Sequence, residues 1–234
     1  MAKTESAEEH IWAASAPPSL DERASSKPPS DVIGELEPLE QYLDDYLRSA
    51  GLTFDEWMGT FGQGRYHERN QTILRLLAPH QPRRLFEFAC AGGFLARLIV
   101  EHIPTIERYT CTNFSPRAVD YCEKQLLHLP QCEVGLINAD VVSSNDIERS
   151  GLLDYDTLVT TSFEHIEHDF ELIARFPTGR CFVFCVAGFD DPEHYRMFNS
   201  AQEIRDRYGR VLSIEAIEEL GQDIRKYVTI AWTK

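Results

Sequence analysis

The stretch "LFEFACAGGFLARLI", residues 85–99, joins a buried-strand pattern to an apolar-periodic helix through a turn of small residues, Ala89-Cys90-Ala91-Gly92-Gly93. One acid, Glu87, is set among Leu85, Phe86 and Phe88. Small side chains in such a turn let the backbone approach a ligand and leave the first N–H groups of the helix available to it. The same turn also serves plain strand-to-helix packing, so it does not specify a ligand by itself. Farther on, "TNFSPRAVDYCEKQL" ends a strand at Asn113 and opens a helix with Ser115 as N-cap and Pro116 behind it. The residue ending this strand in nucleotide sites hydrogen-bonds ribose hydroxyls, which an amide can do without charge, and it can equally turn the chain. Asp140, followed by Val141 and Val142, offers an acceptor for an exocyclic amine beside apolar walls. In "TTSFEHIEHDFELI", Ser162 and Phe163 fall at the edge of the same crevice, with Glu164, His165, Glu167 and His168 in the first helical turns.

These positions matter only if strand ends meet. Strand-like runs cover 84–89, 108–114, 132–140, 155–162 and 181–189, with helix-like runs at 93–103, 115–128, 144–150 and 164–175 between them. That alternation predicts an α/β fold with a doubly wound parallel sheet, whose ligand sits outside the carboxyl ends of the strands. The runs 211–220 and 226–234 lie too close for a helical crossover and should pair antiparallel at one edge. Residues 35–80 carry helical periodicity, including Leu39, Tyr42, Leu43, Tyr46 and Leu47, and form a helical cap ahead of a domain spanning 81–234.

Composition narrows the partner. The net charge of −15 lacks the basic footprint of a phosphate-backbone binder, so nucleic acid is disfavoured and a small substrate suits the chain better. Eleven acids against three bases fall before residue 46, and residues 1–34 read as a disordered acidic tail rich in Ser, Pro, Ala and Glu. The six cysteines show no CxxC pair or zinc-type spacing, and several sit in apolar runs as small buried thiols of a reducing compartment. With no long apolar run and no basic-then-apolar leader pattern, the expectation is a cytoplasmic protein with no membrane partner and no bound metal. Its oligomeric state is not legible.

Taken together, these strings resemble the class I S-adenosylmethionine-dependent methyltransferases from about residue 65 onward. The family's first motif is an acid and a hydrophobic residue followed by Gly-x-Gly-x-Gly; here it stands as Glu87-Phe88-Ala89-Cys90-Ala91-Gly92-Gly93. "YTCTNFSPRAVDYCEKQL" is similar to the second motif, "INADV" to the third and "YDTLVTTSFEHIEHD" to the fourth. The segment from Glu164 to Gly209 is similar to bacterial small-molecule enzymes of the nodulation N-methyltransferase type. The resemblance implies a seven-stranded sheet with its last strand antiparallel, and S-adenosylmethionine held by Glu87, Ala89, Ala91, Gly93, Asn113, Phe114, Ser115, Asp140, Val141, Ser162 and Phe163. Ala89 and Ala91 stand for glycines, which is tolerable if neither needs positive φ. Asn113 replaces a ribose-binding carboxylate, keeping an acceptor without its charge.

The implied reaction is in-line methyl transfer to an oxygen or nitrogen nucleophile of a small molecule. A general base helps a protonated nucleophile, and His165, His194 and His168 are the candidates, the first two favoured. Each has a plainer role as a helix-orienting or loop residue. The helices ahead of the first strand would act as a lid containing Trp57, Phe61, Tyr66, His67 and Arg69, with Tyr66 or Arg69 meeting the cofactor carboxylate. Two other readings remain. Glu164, Glu167, His168 and His194 match the metal site of small-RNA 2′-O-methyltransferases and would suit a divalent ion such as Mn2+. The departures at Ala89, Ala91 and Asn113 would also fit a non-catalytic binding module of the same fold. A nicotinamide-linked dehydrogenase is disfavoured because the turn lacks spaced glycines.

Overall fold

The computed structural model describes residues 37–113, 115–126, 129, 132–138, 154–189, 194–221 and 225–234. The acidic tail, Phe114, Asp140, Val141 and the helix expected over 144–150 lie outside the described residues.

The cap consists of three helices, α1 (Glu37–Ala50), α2 (Phe54–Thr60) and α3 (Gly64–Leu77). Leu43 and Leu47 of α1 are buried one turn apart, and the helix stops before Gly51 at φ 65°. Thr53 opens α2 through a reciprocal capping box with Glu56. Ile73 and Leu77 carry α3 into the main core.

Strands and helices then alternate: β1 (Arg84–Phe88), α4 (Phe94–His102), β2 (Arg108–Asn113), α5 (Pro116–Leu126), β3 (Glu133–Asn138), β4 (Thr157–Thr160), α6 (Asp169–Ala174), β5 (Cys181–Ala187), α7 (Ala201–Tyr208), β6 (Leu212–Leu220) and β7 (Lys226–Thr233). They form one seven-stranded sheet in the order β3-β2-β1-β4-β5-β7-β6. β1 to β5 run parallel, whereas β7 lies antiparallel between β5 and β6.

Period-two alternation sends successive β1 residues to opposite faces. Phe86 and Phe88 join Phe163, Phe182, Phe184 and Tyr208 in one apolar layer. Leu85 joins Tyr109, Cys111, Val183 and the apolar sides of α3, α4 and α5 in the other. Both faces of the central strands are therefore covered, which explains the continuous apolar runs in their sequence.

One expected element is split. The helix predicted over 164–175 is a 3₁₀ turn at Phe163–His165 followed by α6, with Ile166 extended at φ −91°, ψ 109°. Arg196 holds the break by donating to the carbonyl oxygens of Ile166 and Glu167.

Candidate active site at the carboxyl edge of the sheet

Strand order reverses at β1, which has β2 on one side and β4 on the other. The crevice for a ligand in a doubly wound sheet lies over such a reversal. The turn after β1 sits there, tied to the next strand by Cys90 N–H donating to the Thr112 carbonyl at 3.0 Å and closed by Gly93 N–H to the Cys90 carbonyl at 2.9 Å. Contrary to the sequence expectation, Ala89 and Ala91 both take positive φ, 52° and 47°. They keep the backbone course that glycine ordinarily serves and bear the steric strain of a methyl group in it. Gly93, at φ 76°, has no such latitude: a Cβ there would lie 2.5 Å from Cys122 Sγ. Among the described residues no side chain caps the start of α4, so its first N–H groups are left without a side-chain acceptor.

Glu87 does not line this crevice. It is 1% exposed and faces the apolar layer behind the turn, accepting the Tyr109 hydroxyl at 2.8 Å. Burial pushes its carboxyl up to about 8, against the pull of the Tyr109 hydroxyl and the nearby charge of Arg69. Burial thus favours its protonated form, and it supports the turn from beneath. Arg69 reaches in from α3 and is only 5% exposed. Its Nε and Nη2 donate to the Asn70 side-chain oxygen at 3.2 and 3.1 Å, and its guanidinium lies 5.1 Å from the Tyr66 ring centroid. Its charge also acts on Cys185 of β5, whose thiol burial pushes up to about 11. Arg69 thus acts on both Glu87 of β1 and Cys185 of β5, and its side-chain hydrogen bonds among the described residues go to a neutral amide.

Asn113 ends β2 as expected, and its side-chain oxygen accepts Ser115 N–H at 3.0 Å. Ser115 in turn accepts Ala118 N–H at 3.3 Å as the N-cap of α5. Both residues are buried, so the chain-turning role is built in, and a ligand would share the Asn113 amide with it.

Beyond β4, the expected residues separate into three groups. Ser162 is half-buried at the strand end. Phe163 is fully enclosed by Phe182, Phe184 and Tyr208, so its ring belongs to the core and does not form the crevice edge. Glu164, His165 and His194 converge, with donor atoms within 4.8 Å of one another. The Glu164 carboxylate is 1% exposed and faces Lys226 Nζ at 3.5 Å and His194 Nε2 at 3.8 Å, while its second oxygen has no hydrogen-bond partner among the described residues. His194 is also enclosed, with Nδ1 3.2 Å from the Phe189 carbonyl oxygen. Both ring nitrogens of His194 therefore face protein acceptors, which fits a supporting role better than proton transfer to substrate. His165 is exposed, and its ring meets that of His194 edge to face with centroids 4.8 Å apart.

His168 and Glu167 stand apart from this cluster, with side chains 51% and 57% exposed. A continuous helix would have put Glu164, Glu167 and His168 on one face; the extended Ile166 prevents it. The four-ligand set read from the sequence is therefore not assembled. Lys226, by contrast, went unnoticed in the sequence. The β5–β7 register places it opposite Ala187, at the carboxyl end of β5, and no local pattern signals that pairing.

The cap covers this edge with an aromatic ladder. Trp57 meets Phe61 at 5.3 Å between ring centroids and Phe61 meets Tyr66 at 5.0 Å. Phe54 reaches Tyr121 of α5 at 6.4 Å, and Phe94 at the start of α4 also meets Tyr121 at 6.3 Å. These aromatics of the N-terminal helices thus pack on one another and on the helices flanking the turn.

No protein-family model and no curated protein matches the chain. Solved structures do. The N-methyltransferase NodS from Bradyrhizobium japonicum WM9, in complex with S-adenosyl-L-homocysteine, is 16% identical over 73% of this chain and 88% of its own, with a TM-score of 0.57. The methyltransferase domain of bacterial CtHen1-C is 11% identical over 73% of this chain and 99% of its own, at 0.58. An O-methyltransferase from Bacillus cereus is 13% identical over 71% and 81%, at 0.51. The class is set by architecture: this is the Rossmann-like methyltransferase fold, seven strands with β7 antiparallel between its neighbours.

Proposed function

We propose that the chain is an S-adenosylmethionine-dependent methyltransferase acting on an oxygen or nitrogen nucleophile of a small molecule. The observation that carries this reading is Arg69, a buried guanidinium acting on Glu87 of β1 and Cys185 of β5, whose side-chain hydrogen-bond partner among the described residues is a neutral amide. A buried charge calls for an opposite charge, and the carboxylate of the methionine moiety supplies one. When bound, S-adenosylmethionine supplies an already activated methyl sulfonium. The remaining work is alignment, water exclusion and proton removal. The Ala89–Gly93 turn brings bare backbone and an uncapped helix start to the ligand, and Asn113 shares its amide with the ribose. His165, exposed at the end of β4, accepts the proton of the nucleophile. His194, anchored by the Phe189 carbonyl and Glu164, fixes the His165 ring from behind.

Two features favour a small substrate over nucleic acid. The net charge is −15, which repels a phosphate backbone. Beside His194, Tyr195 and Met197 are exposed at 38% and 40%, giving the rim an apolar surface for a compact organic body. Among the described residues, no helix is long and apolar enough to cross a membrane. The test is transfer of labelled methyl from S-adenosylmethionine to a panel of small alcohols, phenols and amines, with RNA alongside. Label on a small molecule is expected; label on RNA, or binding without transfer across the panel, would overturn this substrate assignment.

A further inference from the structure

Three cysteines distant in sequence meet beneath the β1 turn. Cys90 lies in the turn, Cys111 in β2 and Cys122 in α5, each contributing one thiol from a different element. All three are buried, and their sulfur atoms lie within 4.8 Å of one another. The Cys90 and Cys122 sulfurs are 3.8 Å apart. Glu87 Oε2 joins from the same face of the sheet, 3.9 Å from Cys111 Sγ.

That spacing has a chemical meaning. Tetrahedral zinc with Zn–S bonds of about 2.3 Å sets neighbouring sulfurs about 3.8 Å apart. Three convergent sulfurs supply three of the four ligands of a structural zinc site, and the Glu87 carboxyl, beside Cys111 but outside the convergent group, is the nearest oxygen donor. The backbone adds an independent argument. Cys90 sits between Ala89 and Ala91, both at positive φ. Strained backbone persists where its surroundings over-determine it. A metal bond from Cys90 to groups on β1, β2 and α5 would do so.

We propose that Cys90, Cys111 and Cys122 bind a zinc ion that staples the β1 turn to β2 and α5, the Glu87 carboxyl turning in from beside Cys111 as fourth donor. On binding, the three thiols and the carboxyl group lose their protons to solvent, and four metal–ligand bonds form. The resulting site carries a net negative charge. Because its donors come from β1, the turn, β2 and α5, the site forms only as the chain folds, and zinc binding adds to folding stability. The thiols are buried beneath the turn, so the role of the ion is structural. It is distinct from the Glu164, His165 and His194 cluster at the end of β4.

The test uses the full chain, refolded under reducing conditions with Zn2+ and then freed of loose metal by gel filtration. One zinc ion per chain is expected, together with a higher melting temperature than protein refolded without metal. Refolding with Co2+ should give thiolate-to-cobalt charge-transfer absorption, a signature that reads the site in the wild-type chain and needs no variant. Cys111→Ser and Cys122→Ser should lose both the metal and the absorption, whereas a His165→Ala, His194→Ala double variant should keep them. Substoichiometric zinc with no charge-transfer band would overturn the proposal and leave the thiols as core packing. Metal retained in the cysteine variants but lost in the histidine variant would also overturn it. Metal content is read without S-adenosylmethionine, so this result stands or falls separately from the methyltransferase reading.

Discussion

Ala89 and Ala91 hold positive φ on either side of Cys90, at 52° and 47°, so the turn follows a glycine course with alanine side chains. Left-handed backbone costs an L-residue about 1–2 kcal/mol, part of which glycine loses again through its unfolded-state entropy. Ala89→Gly and Ala91→Gly should therefore each raise stability by about 0.5–1 kcal/mol in denaturant unfolding. A loss of stability in both variants would mean that the alanines are not strained.

Arg69 should matter to the cofactor more than to the fold. Arg69→Met removes a buried charge whose hydrogen-bond partner is the neutral Asn70 amide, so thermal stability should hold or rise. Affinity for S-adenosylhomocysteine should fall by about 1.5–3 kcal/mol, the scale of a hydrogen-bonded charge pair. Unchanged affinity would remove Arg69 from the site.

The two neighbouring histidines should respond differently. His165→Ala should lower kcat by about 10²–10⁴-fold with cofactor affinity intact, as for a general base. His194→Ala should instead lower stability, because it takes a partner from the buried Glu164 carboxylate and leaves Lys226 to pair with it. His168→Ala and Glu167→Gln should leave turnover unchanged, since both side chains are exposed and lie beyond the break at Ile166. If His168→Ala abolished turnover while His165→Ala did not, the base would be misassigned.

These contrasts mark what the sequence could and could not tell. The apolar strand runs announced a doubly covered sheet, because strands buried on both faces need no alternation. The short gap around Gly221 announced the antiparallel β6–β7 pair. Other features depend on distant partners. The break after His165 is held by Arg196, thirty residues downstream, and Lys226 reaches Glu164 only through the β5–β7 register. Phe163 reads locally like a residue at the crevice edge, but Phe182, Phe184 and Tyr208 enclose it. The positive φ at Ala89 and Ala91 is hidden because alanine by itself favours the right-handed region. The converging thiols carry no spacing motif, since each comes from a different element.

Asn113→Asp should tighten cofactor binding. An aspartate keeps the acceptor that holds Ser115 N–H and adds a charge-assisted acceptor for ribose hydroxyls. A several-fold lower Kd for S-adenosylhomocysteine is expected; a weaker complex would place the ribose elsewhere.

The N-terminal helix α2 carries its own pH signature. Thr53 donates to the Glu56 carboxylate from its hydroxyl at 2.7 Å and its N–H at 2.8 Å, which holds that carboxyl below its ordinary 4.5. A depressed folded pKa means that the capping box supports α2 at neutral pH and loses that support as pH falls through the folded value. Thr53→Ala should cost about 1 kcal/mol of helix stability and return Glu56 to its ordinary range by NMR titration. A Glu56 that titrates at 4.5 or above in the wild-type chain would mean that the box is not formed in solution.

The central claim is that the crevice over β1 and β4 binds S-adenosylmethionine. Calorimetry of the full chain with S-adenosylhomocysteine tests it most directly. Saturable one-to-one binding, weakened in Arg69→Met, is the predicted result; no heat of binding at millimolar ligand would contradict it.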